Sequence, residues 1–273
     1  MSLIVISREM GSGGTQLGRA IAERLGYRFG DREVILEAVR RYSVPEENLC
    51  RLEESKPSFF ERLDRERYLA YLRAVVFSFA ADDDVVITGR AAPFFFDQVD
   101  HALRIRVTAP APLRAARLAE EAKIPLADAE ARIARYDRDS SARLLQIFNV
   151  DCTAPEHYDL VINSSRGSLE GPVAAVAALV SNPPFRSTPQ STAAMRDRAV
   201  AAQVRAELLQ APGLDSLAIE VDCKDGVVLI AGAVFSPEWE KRACTIASSV
   251  KGARRVACKS LESATGYIVA PPA

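Results

Sequence analysis

Residues 8–15 read Arg-Glu-Met-Gly-Ser-Gly-Gly-Thr, a spacing that suits phosphate chemistry. Glycines let successive backbone N–H groups converge on phosphate oxygens, and a helix that starts just after them adds partial positive charge from its N-terminus. The apolar run Leu3 to Ile6 precedes the segment, and Leu17, Ile21 and Leu25 recur at helical spacing after it. Gly11, Ser12, Gly13 and Gly14 therefore belong to a strand-to-helix turn. The same local sequence also fits a glycine-rich turn that holds no ligand.

A Walker loop, GxxxxGK[ST], brings a Lys to the outer phosphates and a hydroxyl to magnesium. Laid on that pattern, the Lys position holds Gly14, the hydroxyl position holds Thr15 or Gln16 according to register, and the first glycine becomes Arg8. The shape of a phosphate loop is present without its principal cation, and Arg8 and Arg19 are the nearby candidates to supply charge. Farther on, Arg114, Arg117, Arg132, Arg135, Arg138 and Arg143 form a cluster suited to neutralising a transferred phosphoryl group. Glu120, Glu121, Asp128 and Glu130 interleave with them, so an exposed charged helix pair is the other reading.

Five segments in order, ISREMGSGG, LGRAIAERLGYRFGDREVI, VVITGRAAPFF, RIRVTAPAPLRAARL and HYDLVINSS, resemble the cytidylate kinase-like family, relatives of bacterial CMP kinases, over about residues 1 to 180. The resemblance implies a nucleoside monophosphate kinase fold with a phosphate loop, a helical acceptor region and an arginine-bearing lid. It implies ATP with Mg2+ as phosphoryl donor and CMP or dCMP as acceptor. Arg8, Gly11, Ser12, Gly13, Gly14 and Thr15 would hold the donor. Asp31 matches an aspartate beside the monophosphate nucleotide, although an aspartate at that point also suits a helix cap. Arg90 matches an arginine that binds the acceptor phosphate, and the aspartate that follows it in CMP kinases is here Ala91. The lid pattern Asp-x-x-Arg is met by Asp137 but has Ser140 where the arginine belongs, which leaves Arg138 and Arg143 as the lid cations expected to join Arg90 in catalysis. The alternative is a chain that kept the fold, lost the chemistry and serves as a binding or regulatory protein.

The elements that must position these residues alternate. Leu3 to Ile6, Val85 to Ile87, Leu103 to Val107 and Leu160 to Ile162 read as short buried strands between helical stretches, with Gly26 stopping the first helix. That order predicts an α/β domain with a parallel sheet flanked by helices and ligands at the carboxyl ends of its strands. Residues 181–194, SNPPFRSTPQSTAA, read as a linker. Beyond it a helix over Ala199 to Leu209, strands over Ala218 to Val221 and Val227 to Ile230, a helix over Pro237 to Val250 and a strand over Arg255 to Leu261 form a small α-β-β-α-β unit. Gly226, Gly232 and Gly252 give residues 195–262 a resemblance to BON domains, which implies a phospholipid or protein partner and no catalysis, with the basic residues Lys251, Arg254, Arg255 and Lys259 available to an anionic surface. Residues 263–273 read as a tail.

Composition limits the alternatives. Thirty-five Lys+Arg balance 36 Asp+Glu, so no global field draws the chain to nucleic acid, and none is expected as a partner. Two histidines leave little material for a His-based triad or a multi-histidine metal site. Five scattered cysteines, none in CxxC spacing, indicate neither a disulfide framework nor zinc. No signal-peptide or membrane-spanning run is read, which makes the cytoplasm the expected compartment. Phe94, Phe95, Phe96 and Trp239 are expected in the core.

Overall fold

The computed structural model describes residues 2–43, 62–82, 84–89, 91–214, 219–234 and 237–263. These divide into two compact units, residues 1–62 with 82–192 and residues 63–81 with 193–273.

The first unit is built on β1 (Leu3–Arg8), β2 (Arg28–Gly30), β3 (Val85–Thr88), β4 (Ala102–Thr108) and β5 (Leu160–Asn163). All pair in parallel in the order β2-β3-β1-β4-β5. Leu3, Ile4, Val5 and Ile6 are all fully buried, as expected for a central strand covered on both faces. Helices α1 (Gly14–Leu25) and α7 (Glu170–Val180) cover one face, where Leu17, Ile21, Val173 and Val176 pack on Ile4, Ile6, Val86 and Ile105. Gly26 ends α1 in the left-handed conformation with its N–H directed to the carbonyls of Ala22 and Glu23. The remaining helices of this unit are α2 (Arg32–Tyr42), α4 (Ala92–Phe95), α5 (Ala111–Ala122) and α6 (Leu126–Phe148). The expected strands are present. The three-residue β2 was not anticipated, because so short a strand is defined by its pairing to β3 and carries no periodicity of its own. Phe94, Phe95 and Phe96 are buried as expected.

The second unit contains α3 (Arg62–Ala80), α8 (Pro189–Gln210) from residue 193 on, the sheet β6 (Glu220–Lys224), β7 (Val227–Val234) and β8 (Arg255–Ser263), and α9 (Pro237–Ser249). β6 and β7 are antiparallel, β7 and β8 parallel, and the order α-β-β-α-β is the expected one. Val204, Leu208, Val228, Ile230 and Ala243 form its core, with Trp239 partly buried against them. The segment read from composition as a linker carries a 3-10 turn at Pro183–Phe185 and opens α8 at Pro189, where proline suits a first helical turn.

The expectation of unpaired cysteines is corrected here. Cys244 of α9 and Cys258 of β8 form a disulfide, while Cys152 and Cys223 are free and buried. Their spacing in sequence carries no signature, because the helix-to-strand packing brings the two sulfurs together. Among the described residues no helix is long and apolar enough to cross a membrane.

Candidate functional site

Arg8 at the end of β1, Asp31 just after β2 and Ser164 just after β5 line one open cavity of about 1140 Å³, together with residues 9–16, Arg117 and Arg132 among others. The loop between β1 and α1 supplies one wall. Gly11 and Gly13 have φ of +75° and +77°, and a Cβ on Gly11 would lie 2.6 Å from the backbone oxygen of Arg114, so glycine is required there by both conformation and space. Ser12 donates its N–H to the Glu9 carbonyl at 3.1 Å and Leu17 donates to Gly13 at 3.0 Å. The first N–H groups of α1 point outward at this end, as in any helix N-terminus. Ser12 is fully buried and its Oγ has no hydrogen-bond partner among the described residues.

Glu9 fixes the loop from behind. Its carboxylate accepts from Arg106 at 3.0 Å, from Thr108 Oγ1 at 2.7 Å and from the Ala109 N–H at 3.3 Å, and lies 3.4 Å from Arg114 Nε. Arg106 also donates to the Cys152 carbonyl at 2.7 Å. Burial opposes its charge, but Tyr158 and then Glu9 outweigh that and raise its pKa. Burial likewise pushes the Tyr158 hydroxyl up. Met10 packs into the α5–α6 cluster of Ala115, Ala129 and Ile133, tethering the loop to the helix pair.

The arginine cluster separates by partner. Arg114 is buried and committed: it grips Asp137 with two bonds of 3.1 and 2.7 Å and donates to the carbonyls of Ala109 and Met10. Arg117 donates to Ser164 Oγ at 3.1 Å, the Ser164 carbonyl at 2.9 Å and the Gly11 carbonyl at 3.5 Å. Among the described residues it bonds no carboxylate, with Glu120 and Glu121 lining the same cavity. Ser164 Oγ in turn donates to the Ser12 carbonyl at 2.5 Å. Arg138 is exposed beside Asp139, and Arg143 is buried with a bond to Ser140 Oγ at 3.2 Å; neither lines the cavity. Arg19 stacks over Phe29 at 4.9 Å and is not at the cavity.

On the opposite wall Asp31 opens α2 without any side-chain capping bond, and its carboxylate meets Arg8 at 3.4 Å. Gly11, Ser12, Gly13, Gly14, Thr15, Arg8 and Asp31 all line this cavity. Arg90 lies outside the described residues. Sequence reasoning named neither Glu9 nor Ser164, and counted Arg117 only as one of six lid arginines. Among the described residues no group of three or more His, Cys, Asp or Glu is arranged to hold a metal ion.

A model of the cytidylate kinase-like family matches residues 3–166, and a BON domain model matches residues 196–259. The chain is 30% identical over 179 residues to the cytidylate kinase of Pyrococcus horikoshii, covering 65% of this chain and 88% of that one. It is 31% identical over 166 residues to the cytidylate kinase of Desulfurococcus amylolyticus, covering 60% and 84%. A crystal structure of an uncharacterized protein from Eubacterium ventriosum superposes with a TM-score of 0.51 at 14% identity, covering 67% of this chain and 99% of that one, which speaks to the fold alone.

Proposed function

The chain belongs to the cytidylate kinase-like family, and from that premise we propose that its first unit binds ATP at the glycine loop and transfers the terminal phosphoryl group to a nucleoside monophosphate, with CMP or dCMP as acceptor. The observation that carries this reading is the loop itself, with two left-handed glycines and the Arg117 charge at one cavity and, beneath them, a buried Ser12 hydroxyl without a hydrogen-bond partner among the described residues. Backbone N–H groups of the loop bind the donor's phosphates, and the start of α1 favours their charge. An oxygen of the acceptor phosphate attacks the terminal phosphorus, the bond to the bridging oxygen breaks, and ADP leaves with the nucleoside diphosphate as the other product. Such transfer needs positioning and charge neutralisation more than covalent help from the protein. Arg117 supplies neutralisation on the α5 side, and Asp31 stands at the acceptor wall.

Magnesium would supply positive charge to offset that of the donor's phosphates. The Thr15 hydroxyl, on the first turn of α1 and lining the cavity, is the group of this chain that would hold it. Arg90 as acceptor-phosphate ligand, and Arg138 and Arg143 as lid cations, belong to the same proposal. The last two require movement of α6 toward the cavity. A cytoplasmic site of action is part of it as well.

A second reading is favoured by one observation, the glycine at the lysine position: the first unit then binds nucleotide without turnover, and the BON-like unit docks the chain to phospholipid or a protein through Lys251, Arg254 and Arg255. The experiment is ADP production by the full chain with Mg-ATP and CMP, dCMP, UMP or AMP. Acceptor-dependent ADP supports the kinase. ATP binding without ADP supports the second reading.

A further inference from the structure

Gly14 is a glycine for want of space. It opens α1, is buried, and does not have the positive φ of Gly11 and Gly13. A Cβ built on it would lie 2.6 Å from the Cβ of Arg8 and 3.3 Å from both Arg8 Cδ and Val107 Cβ. The Arg8 Cβ is the root of its side chain and cannot swing aside. Arg8 ends β1, bonded in register to Val107 of β4, so relief would mean moving the strand. Side chains at positions 8 and 14 therefore exclude one another, and one of the two must be glycine.

The Walker pattern places glycine at the first of these positions and lysine at the second. This chain has the opposite pair, Arg8 and Gly14. The Arg8 guanidinium reaches the same cavity, with Nη2 3.4 Å from Asp31 Oδ1 and Cζ 3.6 Å from the Cβ position of Gly89. Its Nε is buried and has no hydrogen-bond partner among the described residues. A guanidinium offers N–H donors in a planar fork that matches phosphate oxygens, and among the described residues its one contact, the long one to Asp31, leaves the Nη end of that fork to a ligand.

We infer that Arg8 is the cation of this phosphate loop, carried on the strand end because the helix-entry position cannot hold one beside it, and that residues 8 and 14 act as one reciprocal unit toward the polyphosphate of a nucleoside triphosphate. The inference rests on the nucleotide-binding reading above and names the residue that replaces the missing lysine.

The test is titration calorimetry of the full chain with inorganic tripolyphosphate and with ATP, each variant checked by thermal unfolding. Arg8→Gly is expected to weaken both ligands at least tenfold, and Arg8→Lys less. Gly14→Lys alone is expected to unfold at lower temperature and to bind no better than wild type. The double variant Arg8→Gly/Gly14→Lys restores a Walker arrangement, removes both Arg8 approaches and leaves the 3.3 Å approach to Val107 to be relieved by a small shift, and is expected to bind at least tenfold more tightly than Arg8→Gly. That non-additivity is the signature of direct coupling. The inference is overturned if Arg8→Gly keeps wild-type affinity while Arg117→Ala loses it, if Gly14→Lys alone folds normally and binds more tightly, or if the double variant is the sum of the singles. Tripolyphosphate and ATP both failing to bind wild type overturns the inference and the nucleotide reading together. ATP binding unaffected at position 8 overturns the inference alone.

Discussion

Two glycine turns of this molecule, the loop 9–13 and the hairpin turn Asp225-Gly226, use a carboxylate in opposite ways. At the hairpin, Asp197 accepts from the N–H groups of Asp225 at 2.7 Å and Gly226 at 2.9 Å, so the turn's donors are filled by the protein itself. At the loop, Glu9 turns its carboxylate backward onto Arg106, Thr108 and Arg114, and among the described residues no carboxylate bonds the N–H groups of Gly11, Gly13 or Gly14. Both turns contain left-handed residues, Gly11 and Gly13 in one, Asp225 and Gly226 in the other. Left-handed glycine alone therefore does not mark an anion site; what separates the two is whether the chain supplies its own anion. Arginine follows the same division, with Arg114 consumed by Asp137 and Arg117 held over the loop by neutral oxygens.

The largest expected effect comes from Glu9→Gln. It leaves the buried Arg106 and Arg114 short of a counter-charge, and breaking a buried pair in this way costs about 3–5 kcal/mol. Urea unfolding should show that loss, and ATP affinity should fall with it as the loop loses its anchor. In the second unit Cys258→Ser removes the bond to Cys244, which closes a loop of sequence separation 14. A loop of about 15 residues corresponds to about 3 kcal/mol, to be read as a lower unfolding temperature with nucleotide affinity unchanged.

Arg117→Ala removes a charge from the loop and breaks no ion pair among the described residues. Stability should move by less than about 1 kcal/mol, while charge-assisted contacts of about 1.5–3 kcal/mol to phosphate disappear, read as at least a tenfold weaker ATP titration. The smallest effect is at the closed turn. Burial, with Asp197 adding to it, pushes the Cys223 thiol up to about 12. An ordinary thiol near 8.5 is largely thiolate at about pH 9, whereas this one stays almost wholly protonated, so iodoacetamide at that pH should leave native Cys223 unlabelled. Asp197→Asn removes both the neighbouring charge and the strongest acceptor of the turn, and should lower the thiol's pKa, read as faster labelling than in the native protein, while burial still holds it above an ordinary thiol.

Much of this was legible in the sequence. The loop, its flanking strand and helix, Gly26 and the α-β-β-α-β order announce themselves through local periodicity and turn residues, and the family resemblance rests on segments of the same local kind. Glu9, Ser164 and the distinct fates of Arg114 and Arg117 were not legible, because they depend on contacts across the sheet. Ser164 meets Ser12 from 152 positions away, and nothing near either residue marks the pairing. The Cys244–Cys258 bond was hidden for the same reason. The mutual exclusion at positions 8 and 14 lies between: the sequence shows both departures from the Walker pattern, and only the 2.6 Å approach shows that they are one departure.

The most direct test of the nucleotide site is the ATP-dependent shift in thermal unfolding of the full chain against Gly11→Ala, whose new Cβ would press on the Arg114 carbonyl oxygen at 2.6 Å. A ligand at about 100 times its dissociation constant adds about 2.7 kcal/mol to the stability of a protein that binds it. The expected result is a clear upward shift for the wild type and little or none for a folded Gly11→Ala. Equal shifts in both, or no shift in the wild type, would contradict a phosphate site at this loop.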